Sequence, residues 1–259
     1  MSELKYSRPS KMKKALKLIE TGDPLAGGTS ITPRRGSYTR LVDIQDLGLD
    51  SIEVNDEFIK VGAGAKLQKF LEEIGEYSEP LAKACRLEAG LNIRLMSSLG
   101  GTIVEADGRS PFLTALLAMD TTVILEPGTK NLPLEKLLKN RKKRIADRLI
   151  TEIVLRIPEK MAFEYVARSP ADRPLVCSAA ALYREGTNQS IFISLGGFGA
   201  VPIRIAKSEK EIMDRGNLEA ATRIASQMYA EAEDSFASGE YRSHVSGVLV
   251  KRVLEEVLS

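Results

Sequence analysis

The chain is poor in metal- and redox-active side chains. Of 259 residues only two are cysteine, Cys85 and Cys177, and one is histidine, His244. A typical iron–sulfur cluster is held by four thiolates, so two cannot house one. The pair forms no C-x-x-C motif, which argues against a disulfide framework or a zinc ribbon. A lone histidine leaves a zinc hydrolase without its usual ligands. Charge of one sign is also lacking, with 37 basic residues against 35 acidic ones and a net charge of +2. Recognition of nucleic-acid phosphates needs a sustained basic surface, so no nucleic-acid partner is expected. An uninterrupted apolar run of about 18 residues is missing as well, so no transmembrane segment is expected. With the polar start "MSELKYSRPSKMKK", this leads to the expectation of a cytoplasmic protein.

What is present is the composition of a folded protein: 43% hydrophobic and 28% charged residues, enough for two domains. Met12, Ala15, Leu16 and Ile19 recur at helical spacing, with Ser10 as a candidate N-cap. "RLVDI" and "FIKVGAGA" predict strands. "AKLQKFLEEIGEYSEPLAKACRLE" predicts one or two helices broken between Gly75 and Pro80. "LMSSLGGTIVEADGRSP" reads as a loop, and Thr122 to Leu125 as a β-branched strand. "KNRKKR" is either a solvated loop or helix end, or a docking patch for an acidic partner. "LITEIVLRIP" predicts a strand stopped at Pro158, with a domain boundary there. Beyond it, "PLVCSAAALYRE" and "SIFISLGGFGAVPIRI" predict two antiparallel strands joined by "EGTNQ". Helices are expected in "EKEIMDRG", "LEAATRIASQMYAEAE" and "YRSHVSGVLVKRVLEEVL".

Two glycine pairs carry the chemistry: "AGGTS" (Ala26, Gly27, Gly28, Thr29, Ser30) and "SLGGT" (Ser98, Leu99, Gly100, Gly101, Thr102). Without Cβ atoms the backbone can approach an anion closely. Successive N–H groups in such turns form a concavity for negative charge, to which Thr and Ser hydroxyls add donors. A single such segment reads more readily as a turn. Two suggest a ligand with a pyrophosphate, gripped from two sides, as a dinucleotide would be.

The chain resembles the FAD-binding medium subunit of the molybdenum hydroxylases, the xanthine dehydrogenase and carbon monoxide dehydrogenase family. "AGGTS" is similar to that family's first flavin loop and "SLGG" to its T-I-G-G loop. "LVDI", "VGAGAKL", "FLTALLAMDTTVIL" and "LITEIVLRIP" resemble the segments that follow in the flavin domain. "YVARSPADRPLVCSAAALY", "SLGGFGAVPIRI" (with Pro202 and Arg204) and "EYRSHVSGVLVKRVLEEVL" resemble the C-terminal domain in order.

The resemblance implies an α+β fold. A two-part PCMH-type FAD-binding domain at 1–158, a small α/β subdomain plus a mixed-sheet subdomain, would precede a C-terminal domain at 159–259 with an antiparallel sheet and helices. It implies FAD as cofactor, with Leu25 to Ser30 and Ser98 to Thr102 at the pyrophosphate and ribityl. Asp107, Ile150 and Tyr165 are further flavin-contact candidates. Ile150 reads more readily as plain core packing, and Tyr165 equally as either. Arg242 and His244 read as helix-packing and capping residues. The implied partners are a large molybdenum-cofactor subunit and a small [2Fe–2S] subunit, with NAD or a quinone as electron acceptor. No side chain is nominated as catalytic acid or base. Thr102 stands where the family carries Asn or Asp, and Pro111 near where it often carries Asp. These departures leave a second reading: a non-redox interaction subunit holding flavin weakly or not at all.

Overall fold

The computed structural model describes residues 4–259. The first half runs β1 (Lys5–Ser7), α1 (Met12–Ile19), β2 (Asp23–Leu25), β3 (Arg40–Asp43), β4 (Ile52–Val54), β5 (Phe58–Gly62), α2 (Leu67–Ile74), α3 (Glu79–Glu88), α4 (Leu91–Met96), α5 (Leu99–Glu105) and α6 (Pro111–Ala118). There follow β6 (Thr122–Glu126), β7 (Lys130–Pro133), α7 (Leu134–Lys139), α8 (Arg141–Ile145) and β8 (Leu149–Arg156). The chain ends with β9 (Lys160–Val166), β10 (Val176–Glu185), β11 (Asn188–Gly196), β12 (Ile203–Arg204), α9 (Ala206–Arg215), α10 (Leu218–Met228) and α11 (Gly239–Leu258). This is an α+β fold, divided into two compact units that are both discontinuous in sequence. One holds Met1–Glu73, Ala89–Glu105 and Thr122–Leu155; the other holds Ile74–Glu88, Ala106–Thr121 and Arg156–Ser259.

The first unit contains two sheets. β1, β3 and β2 form a parallel three-stranded sheet, with Leu25 in register with Asp43. Helix α1 covers it because Met12, Leu16 and Ile19 share one face and pack with Val42 and Ile44. The expected cap is displaced by one residue: Lys11, not Ser10, is the N-cap, and its side chain makes no capping bond. The second sheet has the order β4-β5-β8-β6-β7. "SLGGTIVE" departs from the loop expectation, since Leu99–Glu105 is helical. Ser98 explains why a helix starts on a glycine pair. Its hydroxyl accepts the Gly101 N–H at 3.1 Å, and its carbonyl accepts the Thr102 N–H at 2.9 Å.

The second unit is built on the antiparallel sheet β12-β11-β10-β9. β10 and β11 form the expected hairpin, turning between Glu185 and Asn188 with Gly186 at φ +60°. β9, not anticipated from the sequence, pairs β10 along its other edge. Val176 to Tyr183 are all buried, which breaks the in–out alternation of a half-exposed strand. Both faces of β10 are covered. Val176, Ala180 and Leu182 join the α10–α11 core. On the other face the Cys177 thiol meets the Thr114 hydroxyl at 3.5 Å, and the Tyr183 hydroxyl donates to the Ala118 carbonyl at 3.2 Å, both on α6. Every residue of α6 is buried. Its N-terminus is closed by Ser110, whose hydroxyl oxygen accepts the Leu113 N–H at 3.0 Å while donating to Glu88 at 2.6 Å. Burial pushes the Glu88 carboxyl above its usual range, although the Ser110 hydroxyl and the Phe112 N–H oppose that shift.

Candidate functional site

β2 ends at Leu25, and the chain turns through Ala26 to Ser30 into a 3-10 helix at Thr32–Ser37. Gly28 holds φ +73°, a conformation that L side chains rarely adopt, and its carbonyl accepts the Thr32 N–H at 2.8 Å. The N–H groups of Gly27, Gly28, Thr29 and Ser30 donate no hydrogen bond within the described residues. All four residues are partly exposed. A run of unspent backbone donors at a glycine pair is the concavity that binds anions.

The segment lies directly against the approach to the second glycine pair. A Cβ on Gly27 would collide with the Met96 carbonyl and come within 2.9 Å of the Ser97 Cα. The Thr29 and Ser97 hydroxyls share a hydrogen bond at 2.9 Å. Gly100 is tight for the same kind of reason, because a Cβ there would meet the Ala63 Cβ at 2.8 Å. The turn at Gly62–Ala65 is stitched to α5 by the Leu99 N–H to Ala65 (2.9 Å) and the Gly100 N–H to Ala63 (2.8 Å). Gly27 thus abuts the Met96–Ser97 lead-in to the second segment, and Gly100 abuts the Gly62–Ala65 turn, all within one compact unit.

Their donors are not equivalent. Leu99 is fully buried, and the N–H groups of Leu99, Gly100, Gly101 and Thr102 are all spent on the protein; the Thr102 hydroxyl donates to the Ser98 carbonyl at 3.0 Å. The unspent donors belong to the first segment, and the second braces it. Leu25 lies at the end of β2, its carbonyl accepting the Ile44 N–H at 2.9 Å, and Ala26 packs beside Ile44 and Leu149. The Ser30 carbonyl accepts from the Arg34 guanidinium at 2.9 Å, which also reaches Glu105 on α5 at 2.6 Å.

The other candidates have partners of their own. Ile150 is 4% exposed in β8, opposite Leu125, a core position. Asp107 and Tyr165 belong to the second unit. The Asp107 carboxylate is engaged by the Arg173 guanidinium at 2.6 and 3.1 Å and by the Arg109 N–H at 2.9 Å. Burial pulls its pKa up, but these donors outweigh it and hold the carboxyl below its usual range. Tyr165 sits on β9 with the Lys83 ammonium 5.5 Å over its ring. Arg242 is fully buried as a packing residue; it bonds Asp234 at 2.8 and 2.9 Å and donates to the carbonyls of Ala232, Ala237 and Leu175.

Sequence reasoning missed Ser97 and Arg34, which tie the two segments together, and Lys66, which is pinned to the second. Lys66 follows the Gly62–Ala65 turn, forms an isolated bridge with Ser98, and donates from its ammonium to the Met96 carbonyl at 3.0 Å. Nothing local in "VGAGAKL" signals that contact.

A two-sheet unit presenting a glycine turn with unspent N–H donors is suited to holding the phosphates of a ligand. Residues 2–159 match the family described as FAD binding domain in molybdopterin dehydrogenase, and the chain belongs to that family. Residues 161–257 match the CO dehydrogenase flavoprotein C-terminal domain. The chain is 28% identical over 252 residues to the protein YgfM of Escherichia coli, covering 95% of this chain and 93% of that one. It is 27% identical over 276 residues to the glyceraldehyde dehydrogenase medium chain of Sulfolobus acidocaldarius, covering 98% of both. Its fold matches a chain of CO dehydrogenase from Oligotropha carboxidovorans with a TM-score of 0.83 at 21% identity, over 99% of this chain and 98% of that one. It is thus an FAD-binding oxidoreductase subunit of the molybdenum hydroxylase type. Among the described residues no helix is long and apolar enough to cross a membrane.

Proposed function

We propose that this chain carries FAD between two partners. It takes electrons from iron–sulfur clusters on a small [2Fe–2S] subunit, fed in turn by a large molybdenum-cofactor subunit. It releases them to an external acceptor such as NAD or a quinone. The observation that carries this reading is the run of unspent N–H donors from Gly27 to Ser30, braced at backbone contact by the segment leading to Gly100.

The residues present fit the cofactor. The N–H groups of Gly27, Gly28, Thr29 and Ser30 would hold its pyrophosphate, and the Thr29–Ser97 hydroxyl pair would stand at the edge of that cradle. When bound, the flavin supplies the redox chemistry, accepting and releasing electrons singly or in pairs. The chain's own contribution is binding and orientation, and no acid or base from it is required. Its two thiols, both buried, are too few for a cluster of their own, which supports the division of labour among subunits. The same reading assigns FAD binding to 1–158, gives 159–259 a separate domain, and sets the protein in the cytoplasm.

The test is the flavin content of the purified chain and of the complex it is isolated with. A yellow protein absorbing near about 450 nm, as oxidised flavin does, together with molybdenum and iron–sulfur subunits, is the expected result. A colourless folded chain that takes up no added FAD would instead favour the non-redox interaction subunit. The replaced residues Thr102 and Pro111 motivate that second reading.

A further inference from the structure

The turn after β5 delivers Lys66 to the seam between the two glycine segments. Its main chain bridges Ser98, and the neighbouring Leu67 N–H donates to the Ser97 carbonyl at 3.0 Å. Its ammonium donates to the Met96 carbonyl at 3.0 Å, the same carbonyl that leaves no room for a Cβ on Gly27. The backbone of Lys66 is thereby tied to the second segment while its charge stands beside the first.

That charge lacks a direct counter-ion. Among the described residues no carboxylate forms a salt bridge with Lys66, and Asp43 and Asp50 act on it only through space. Asp43 is itself committed, accepting the Tyr6 hydroxyl at 2.5 Å and the Gln45 N–H at 2.9 Å. Burial lowers the Lys66 pKa, against the opposing pull of the two aspartates. The ammonium rests on a single carbonyl, partly open to solvent, with room for a further acceptor. The Met96 carbonyl on which it rests also borders Gly27, the first of four residues whose N–H groups donate to no protein acceptor. An anion with several oxygens can engage the ammonium and the four donors together.

We propose that Lys66 is the charge partner of the dinucleotide's pyrophosphate, its ammonium pairing with a phosphate oxygen held on the N–H groups of Gly27 to Ser30. This rests on the reading of the first glycine segment as the pyrophosphate cradle. Division of labour follows from the chemistry: the backbone donors fix position, and the lysine supplies the neutralising charge.

The test is titration of the full chain, stripped of flavin, with FAD at several salt concentrations, followed by flavin fluorescence. Wild type is compared with Lys66→Gln and Lys66→Arg. At low salt Lys66→Gln should weaken FAD binding by about tenfold or more, the scale of a lost charge-assisted hydrogen bond. Its affinity should also fall less steeply with salt than that of wild type, since one ionic contact is gone. Lys66→Arg should keep most of both. Unchanged affinity in Lys66→Gln overturns the proposal. So does weaker binding with an unchanged salt dependence, which would make Lys66 a mere pin for the Met96 carbonyl. A wild-type chain that takes up no FAD overturns the cradle reading and this proposal together, a result distinct from failure at Lys66 alone.

Discussion

Gly27 and Gly28 are adjacent yet glycine for different reasons, and the difference can be measured. At Gly28 there is room for a methyl group, with Leu25 and Thr32 side chains at 3.4 and 3.5 Å, but φ is +73°. Gly28→Ala should therefore cost about 1–2 kcal/mol of backbone strain. At Gly27 the obstacle is the Met96 carbonyl, so a Cβ pushes the two glycine segments apart. Gly27→Ala should lower flavin retention, measured as the FAD-to-protein ratio after gel filtration, more than Gly28→Ala does. The reverse order would contradict the brace. "AGGTS" announces a tight turn, but it is silent about whether the missing Cβ makes room for a ligand or for another stretch of backbone. Distant residues decide that, and here at Gly27 they decide for backbone.

Among the elements, α11 depends on a single side chain. Arg242 lies one turn into the helix with no exposure and reaches three carbonyls and the Asp234 carboxylate of the preceding loop. Removing one partner of a buried ionic network strands the others, so Arg242→Met should destabilise the chain by about 3–5 kcal/mol. Urea denaturation checks this; a loss below about 1 kcal/mol would make the network dispensable. The C-terminal helix was legible from its apolar spacing, as were α1 and the β10–β11 hairpin. The network that fixes its first turn was not, because three backbone carbonyls leave no mark on composition. α5 reads as loop from its sequence for a related reason. Glycine pairs disfavour helix locally, and the Ser98 cap with the close approach to Ala63 outweighs that preference.

On the scale of the whole molecule, both thiols are sealed inside the second unit. Burial pushes the Cys177 thiol up to about 12, with Glu88 adding to the rise and Thr114 and Arg173 opposing it. Thiolate is the reactive form, so at about pH 8 an aromatic disulfide reagent should label neither Cys85 nor Cys177 in the native chain, and both on unfolding. Labelling of the native protein at the rate of a free thiol would contradict that burial. Which unit each segment joins was the least legible feature. Residues 74–88 and 106–121 read as continuations of their sequence neighbours, yet they pack with the C-terminal sheet. α6 is apolar all round except for Thr114, so its sequence predicts burial without saying against which sheet.

The sequence by itself determined the amphipathic helices, the hairpin, the two glycine pairs and the family they belong to, because each depends on residues close together in the chain. The tertiary structure alone decided that one pair keeps its donors free while the other spends them, and that Lys66 stands at their seam. Those outcomes depend on backbone contacts between residues far apart in the chain, and such contacts carry no local pattern.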